Sequence, residues 1–129
     1  DLVADDTTSL VERYDFETKA WEAAPPMAEA RIYHAMAVLE GKLYAVGGYR
    51  HGGGASLSSV ERYDPATNAW EEVAPMATAR QYVGAAVLDG KLYAVGRYNC
   101  FGSGFGFGFG AVLSSVERYD PAAVAPMAT

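Results

Sequence analysis

Four arginines, Arg31, Arg50, Arg80 and Arg97, are the residues best suited to act on another molecule. A guanidinium group offers parallel N–H donors that match a carboxylate at two points. Near them in the chain stand Tyr49, Tyr98 and Asn99, which combine contact area with hydrogen bonding. Tyrosine and arginine are also enriched at binding hot spots. These seven residues form a candidate protein-binding set. Groups for a reaction are sparser. Two histidines, His34 and His51, and one cysteine, Cys100, are not spaced as a metal site. No nucleophile–base pair or isolated carboxylate pair is evident. The Gly-x-Gly spacing near residue 104 precedes no helix whose N-terminus could hold a phosphate. The expectation is a chain with no enzymatic activity, no metal and no cofactor.

What positions these residues is a repeat. Displaced by 49 residues, Ser9–Gly48 matches Ser58–Arg97 at 26 of 40 positions without a gap, too many for chance. Val-Glu-Arg-Tyr-Asp stands at Val11–Asp15, Val60–Asp64 and Val116–Asp120. Gly-Lys-Leu-Tyr-Ala-Val-Gly stands at Gly41–Gly47 and Gly90–Gly96. Within one repeat, Tyr82–Leu88 is a short apolar run closed by Asp89-Gly90, a hairpin signal. Leu92–Val95, Ser59–Tyr63 and Trp70–Val73 supply three more short strands, with a turn at Asp64–Asn68. No helical period is sustained. Each repeat is therefore expected to be a four-stranded antiparallel meander, strands a to d, and the chain all-β.

Such a sheet has two apolar faces, and stacking copies around an axis buries them, which is the β-propeller solution. Residues 1–30 supply strands c and d of a half blade, 31–76 a full blade, and 80–127 a blade with an extended b–c loop at 97–113 and a shortened strand d. One chain thus encodes an incomplete ring: either it is a fragment, or further copies of the chain assemble to complete it. Successive strands reverse, so the d–a and b–c connections emerge at one end. That end collects Arg31, Arg50, Arg80 and Arg97 against one acid, Glu29, on a chain of net charge −6. A basic rim on an acidic body favours an acidic protein or peptide partner. The competing role for Arg31 and Arg80 is structural, tying blades together through carbonyls, and ordinary packing competes for Tyr49 and Tyr98.

The motif details resemble the Kelch family: an Arg opening strand a (Arg31, Arg80), a Gly pair closing strand b (Gly47-Gly48), a Tyr in strand c (Tyr14, Tyr63) and a Trp at the start of strand d (Trp21, Trp70). The Val-Glu-Arg-Tyr-Asp and Ala-Pro-Met wording is most similar to the BTB-Kelch adaptor group. The resemblance implies a Kelch β-propeller segment that serves as a protein-interaction module, of the kind that recognises substrates for ubiquitin ligases. It implies that Arg31, Arg80 and the residues after the Gly pair line the partner-binding rim. Some Kelch propellers are copper oxidases, but they need a histidine pair, tyrosine ligands and a cysteine–tyrosine crosslink that this sequence does not assemble. The alternative function is a structural or designed self-assembling propeller fragment with no natural partner.

The acidic balance argues against nucleic acid as a partner. No apolar run is long enough for a membrane helix, and Asp1–Thr8 is unlike a signal peptide. The lone cysteine fits a reducing, cytoplasmic setting. Two departures mark the third repeat: Phe101–Gly110 alternates Phe and Gly, and Asp120–Val124 omits the strand-d Trp. For the Phe-Gly run three readings stand: a flexible or engineered linker, a sequence artefact, or an interaction loop similar to Phe-Gly nuclear pore segments.

Overall fold

A computed structural model describes residues 8–50, 54–96, 98–100 and 110–122. His51, Arg97 and most of the Phe-Gly run lie outside the described residues, as does the segment after Ala122. Every regular element is a β-strand, as the short runs and turn signals predict.

The first repeat contributes a hairpin, β1 (Val11–Asp15) with β2 (Ala20–Ala24). The second contributes β3 (Ala35–Leu39), β4 (Lys42–Val46), β5 (Tyr49–Arg50), β6 (Ala55–Ser56), β7 (Val60–Asp64) and β8 (Ala69–Val73). Of these, β3-β4-β7-β8 form one antiparallel four-stranded sheet. The third repeat gives β9 (Gly84–Leu88), β10 (Lys91–Val95), β11 (Tyr98–Cys100), β12 (Gly110–Val112) and β13 (Val116–Tyr119). Here β9, β10 and β13 form the sheet, with β10 central.

The turns follow from their residues. At β3–β4 and β9–β10, Glu40-Gly41 and Asp89-Gly90 all have positive φ, between 53° and 76°, as a type I′ hairpin requires. At β1–β2 and β7–β8 the Asp that ends the strand organises the turn. Asp15 Oδ1 accepts from Glu17 N, and Asp64 Oδ1 from Ala66 N. Their carbonyls accept from Lys19 and Asn68, the residues in the left-handed region. One difference from expectation lies in the b–c loops. They carry short ladders of their own, β5 with β6 and β11 with β12.

The core is the seam between the second and third sheets. Leu39, Tyr44, Val46 and Val60 of one meet Val83, Leu92 and Ala94 of the other. Burying large aliphatic side chains contributes about 1.5–3 kcal/mol each, so face-to-face stacking is what stabilises sheets too small to stand alone.

Candidate functional site

The carboxylate that Arg31 was expected to find in a partner lies within the chain. Arg31 is buried, and its guanidinium donates to Gly47 O (2.9 Å), Ser59 O (3.0 Å) and Glu61 Oε2 (2.9 Å). Glu61, equally buried, also accepts from the backbone N–H groups of Ala28 (2.7 Å) and Glu29 (3.0 Å). The third repeat repeats the arrangement. Arg80 donates to Gly96 O, Ser115 O and Oγ, and Glu117, while Glu117 accepts from Ala77 N and Thr78 N. Burial pushes the Glu117 carboxyl up. The Ala77 amide, the Arg80 guanidinium and the Thr78 amide outweigh it and hold the group below the usual carboxylate range.

Both arginines are thus occupied inside the fold, and neither reaches solvent. A buried cation needs a paired, hydrogen-bonded environment, and this chain supplies it. The four-arginine rim shrinks accordingly. Arg50 is the exposed member, 3.5 Å from Glu29, and Arg97 lies outside the described residues. Tyr98 and Asn99 sit on β11, where only the backbone is described.

What the two latches hold is the segment that follows each arginine. Ile32 and Tyr49 exchange backbone hydrogen bonds in a bridge, so the d–a linker pairs with the b–c extension at one end of the blades. Gly48 permits this approach. It sits at φ 110°, and a Cβ there would fall 2.8 Å from Ile32 O and 2.9 Å from His34 Cβ.

On this end lie two tyrosines that the sequence reading passed over. Tyr33 and Tyr82 occupy the same place in successive repeats, two residues after the buried arginines. Both have left-handed backbone, φ 62° and 54°, and Tyr82 N donates to Tyr33 O (2.8 Å). Their rings stack at 4.1 Å with an 18° tilt, and Tyr49 lies 6.5 Å from Tyr33. Each stacked ring is about two-fifths exposed. A bulky residue at positive φ is uncommon, and such strain gathers at functional sites. Beside them His34 is half-buried with Nδ1 lacking a partner in the fold. Burial, then the Arg31 charge, holds its pKa below the ordinary value, so the ring is neutral near pH 7. The arrangement is an aromatic shelf with a neutral imidazole and one exposed arginine. Among the described residues, no group of three or more His, Cys, Asp or Glu could hold a metal ion. Nor is any helix long and apolar enough to cross a membrane.

A four-stranded and a three-stranded antiparallel sheet stacked face to face, with the linkers and b–c loops gathered at one end, have the architecture of β-propeller blades. Residues 30–77, spanning the central sheet and its linkers, match the Kelch motif. The fold is that of β-propeller blades. A stretch of 43 residues is 39% identical to an F-box/kelch-repeat protein of Arabidopsis thaliana, covering 33% of this chain and 12% of that protein. The solved structure of YjhT superposes with a TM-score of 0.61 at 21% identity, over 72% of this chain and 35% of its own. The match therefore spans about an eighth of the curated relative and about a third of YjhT. Kelch repeats generally mediate protein–protein interaction.

Proposed function

We propose that this chain is a peptide-binding module whose partner lies across Tyr33, Tyr49 and Tyr82, with Arg50 and His34 supplying polar contacts. The observation that carries the reading is the matched pair of left-handed, stacked, half-exposed tyrosines. Exposed aromatic rings provide contact area at low entropic cost, and rings of this kind anchor interfaces. Arg50, with the Arg97, Tyr98 and Asn99 side of the second loop, favours a carboxylate-bearing peptide. With Arg31 and Arg80 consumed internally, the acidic preference rests on fewer cations, and the aromatic contact supplies most of the affinity. An adaptor role, recognising substrates for a ubiquitin ligase from a cytoplasmic chain, is the further reading. It is supported by the likeness of the repeat wording to the BTB-Kelch group and by a relative that joins kelch repeats to an F-box.

A displayed peptide library with acidic, neutral and basic members tests the proposal. Acidic members are expected to dominate the selected binders. Tyr33→Ala with Tyr82→Ala should weaken the best binder by about thirtyfold, the loss of one hot spot, with the thermal melt little changed. Arg50→Ala should reduce the advantage of acidic members. Selection of no binder, or full affinity in the double variant, would sink the reading.

A further inference from the structure

In the first two repeats a tryptophan stands opposite the strand-c tyrosine. Tyr14 pairs with Trp21 and Tyr63 with Trp70, and the ring centres lie 5.4 and 5.6 Å apart. Trp70 also meets the linker of the blade before it, where its Nε1 donates to Pro25 O (2.8 Å). Its indole thus has two fixed neighbours: a tyrosine ring on its own blade and a linker carbonyl on the preceding one.

The third repeat keeps both neighbours and omits the indole. Aligned on Val-Glu-Arg-Tyr-Asp, Tyr119 corresponds to Tyr63, and the 49-residue displacement makes Ala74 the counterpart of Pro25. The omission is internal. Asp-Pro-Ala is followed by Thr-Asn-Ala-Trp-Glu-Glu-Val at 67–73 but by Ala123-Val124 in the third repeat, after which Ala-Pro-Met resumes. Between Tyr119 and that Ala-Pro-Met no residue is aromatic.

At this inner seam the second and third sheets leave a cavity of about 170 Å³, and both Ala74 and Tyr119 line it. Val46, Val60, Leu92 and Ala94, all buried, give it an apolar wall, while Ala74 is exposed. An apolar cavity of about 150 Å³ holds a benzene ring, so the space suits one small aromatic system. None of the shelf tyrosines lines it.

We propose that this cavity is a binding site for an indole, whose ring lies against Tyr119 and whose N–H donates to the Ala74 carbonyl. The ligand class follows from the neighbouring seam, where the corresponding tyrosine and carbonyl hold Trp70. A ring with a donor satisfies that carbonyl as well as filling the apolar space, which a plain hydrocarbon does not. Two sources carry this chemistry, a free indole compound and the tryptophan side chain of a peptide.

Fluorine NMR of fluoroindole added to the full chain reads binding without interference from Trp21 and Trp70. Saturable one-to-one binding is expected. N-methylindole, which lacks the donor, should compete at least about fivefold more weakly than indole. Replacing Ala123 by Thr-Asn-Ala-Trp-Glu-Glu restores the omitted segment, and its tryptophan should weaken fluoroindole binding by at least about tenfold. The same insertion with alanine in place of that tryptophan should keep the binding. Circular dichroism establishes that both variants are folded. N-acetyltryptophanamide separates the sources: competition equal to that of indole supports a peptide tryptophan, and failure to compete supports a free indole compound. No binding to the unaltered chain, equal competition by N-methylindole, or the same affinity in the two insertion variants would overturn the proposal.

Discussion

Replacing Glu61 by alanine removes the acceptor for three donors at once: the Ala28 and Glu29 amides and the Arg31 guanidinium. Arg31 keeps the Gly47 and Ser59 carbonyls but loses its counter-charge, and its side chain has no exposure to water. Stranding one member of a buried ion pair costs about 3–5 kcal/mol. Glutamine keeps the shape and one carbonyl oxygen, so Glu61→Gln should cost less, about 1.5–3 kcal/mol for the charged hydrogen bond. Against a total stability of about 5–15 kcal/mol the alanine loss is large. With a urea slope of about 2 kcal/mol/M it moves the midpoint down by roughly 2 M. Urea titrations followed by circular dichroism measure it. Glu117→Ala is the internal control: that side chain is 23% exposed, so water can replace part of what is lost, and the cost should be smaller. If Glu61→Ala lay within about 1 kcal/mol of the unaltered chain, or if Glu117→Ala were the more damaging, the latch would not hold the blades as argued. The same reasoning makes Arg31→Ala a stability variant, so a loss of binding in it would not place Arg31 in the interface.

Two further outcomes follow from the same geometry. Gly48→Ala should cost more than Gly41→Ala in the same urea titration: both positions have positive φ, but only at Gly48 does a Cβ strike backbone, at 2.8 Å from Ile32 O, while Gly41 faces open space. Equal costs would refute the close-approach argument. The pH dependence has two windows. His34 takes a proton less readily folded than unfolded, so stability falls as pH drops from 7 through its ordinary 6.5 toward the lower folded value. Glu117 is the reverse case: its contribution is full above the ordinary 4.5 and is lost as pH falls through the lower folded value. Urea midpoints measured from pH 8 to pH 3 should show the upper decline vanish in His34→Phe and the lower one diminish in Glu117→Gln.

Much of the fold is legible because the repeat is written in turn residues. Glu40-Gly41, Asp89-Gly90 and the aspartates Asp15 and Asp64 mark the hairpins, the first two pairs through their positive φ and the aspartates through the bonds their side chains and carbonyls accept in the turn. The ladders β5–β6 and β11–β12 were not legible. Two or three residues on glycine-rich segments carry no period, and β5 is further tied by the Ile32–Tyr49 bridge, a contact between distant parts of the chain. The site was harder for a different reason. That an arginine suits a carboxylate says nothing about which molecule provides it. Arg31 and Glu61 are thirty residues apart, and only the return of β7 alongside β4 brings them together. A sequence signal did exist: Arg80 and Glu117 recur with the same neighbours, the wider spacing being the longer b–c loop. Tyr33 and Tyr82 repeat as well, but a left-handed backbone at tyrosine has no signature in composition.

The buried arginines and the exposed tyrosines are two parts of one device. Arg31 and Glu61 fix residues 28–31 against the second sheet, and the Ile32–Tyr49 bridge fixes the next residue against the b–c extension. Between these restraints and β3 the chain has little freedom at Tyr33. The strain of a positive φ, of order 1–3 kcal/mol, persists because its neighbours over-determine it. Tyr82 is held the same way by Arg80 and Glu117, and the Tyr82 amide on Tyr33 O joins the two positions directly. A partner that meets rings already stacked avoids the entropy of ordering them, which is how a rigid scaffold turns modest contact area into affinity. In the proposed interface the arginines would contribute to binding at one remove, setting where the tyrosines stand while the tyrosines meet the partner.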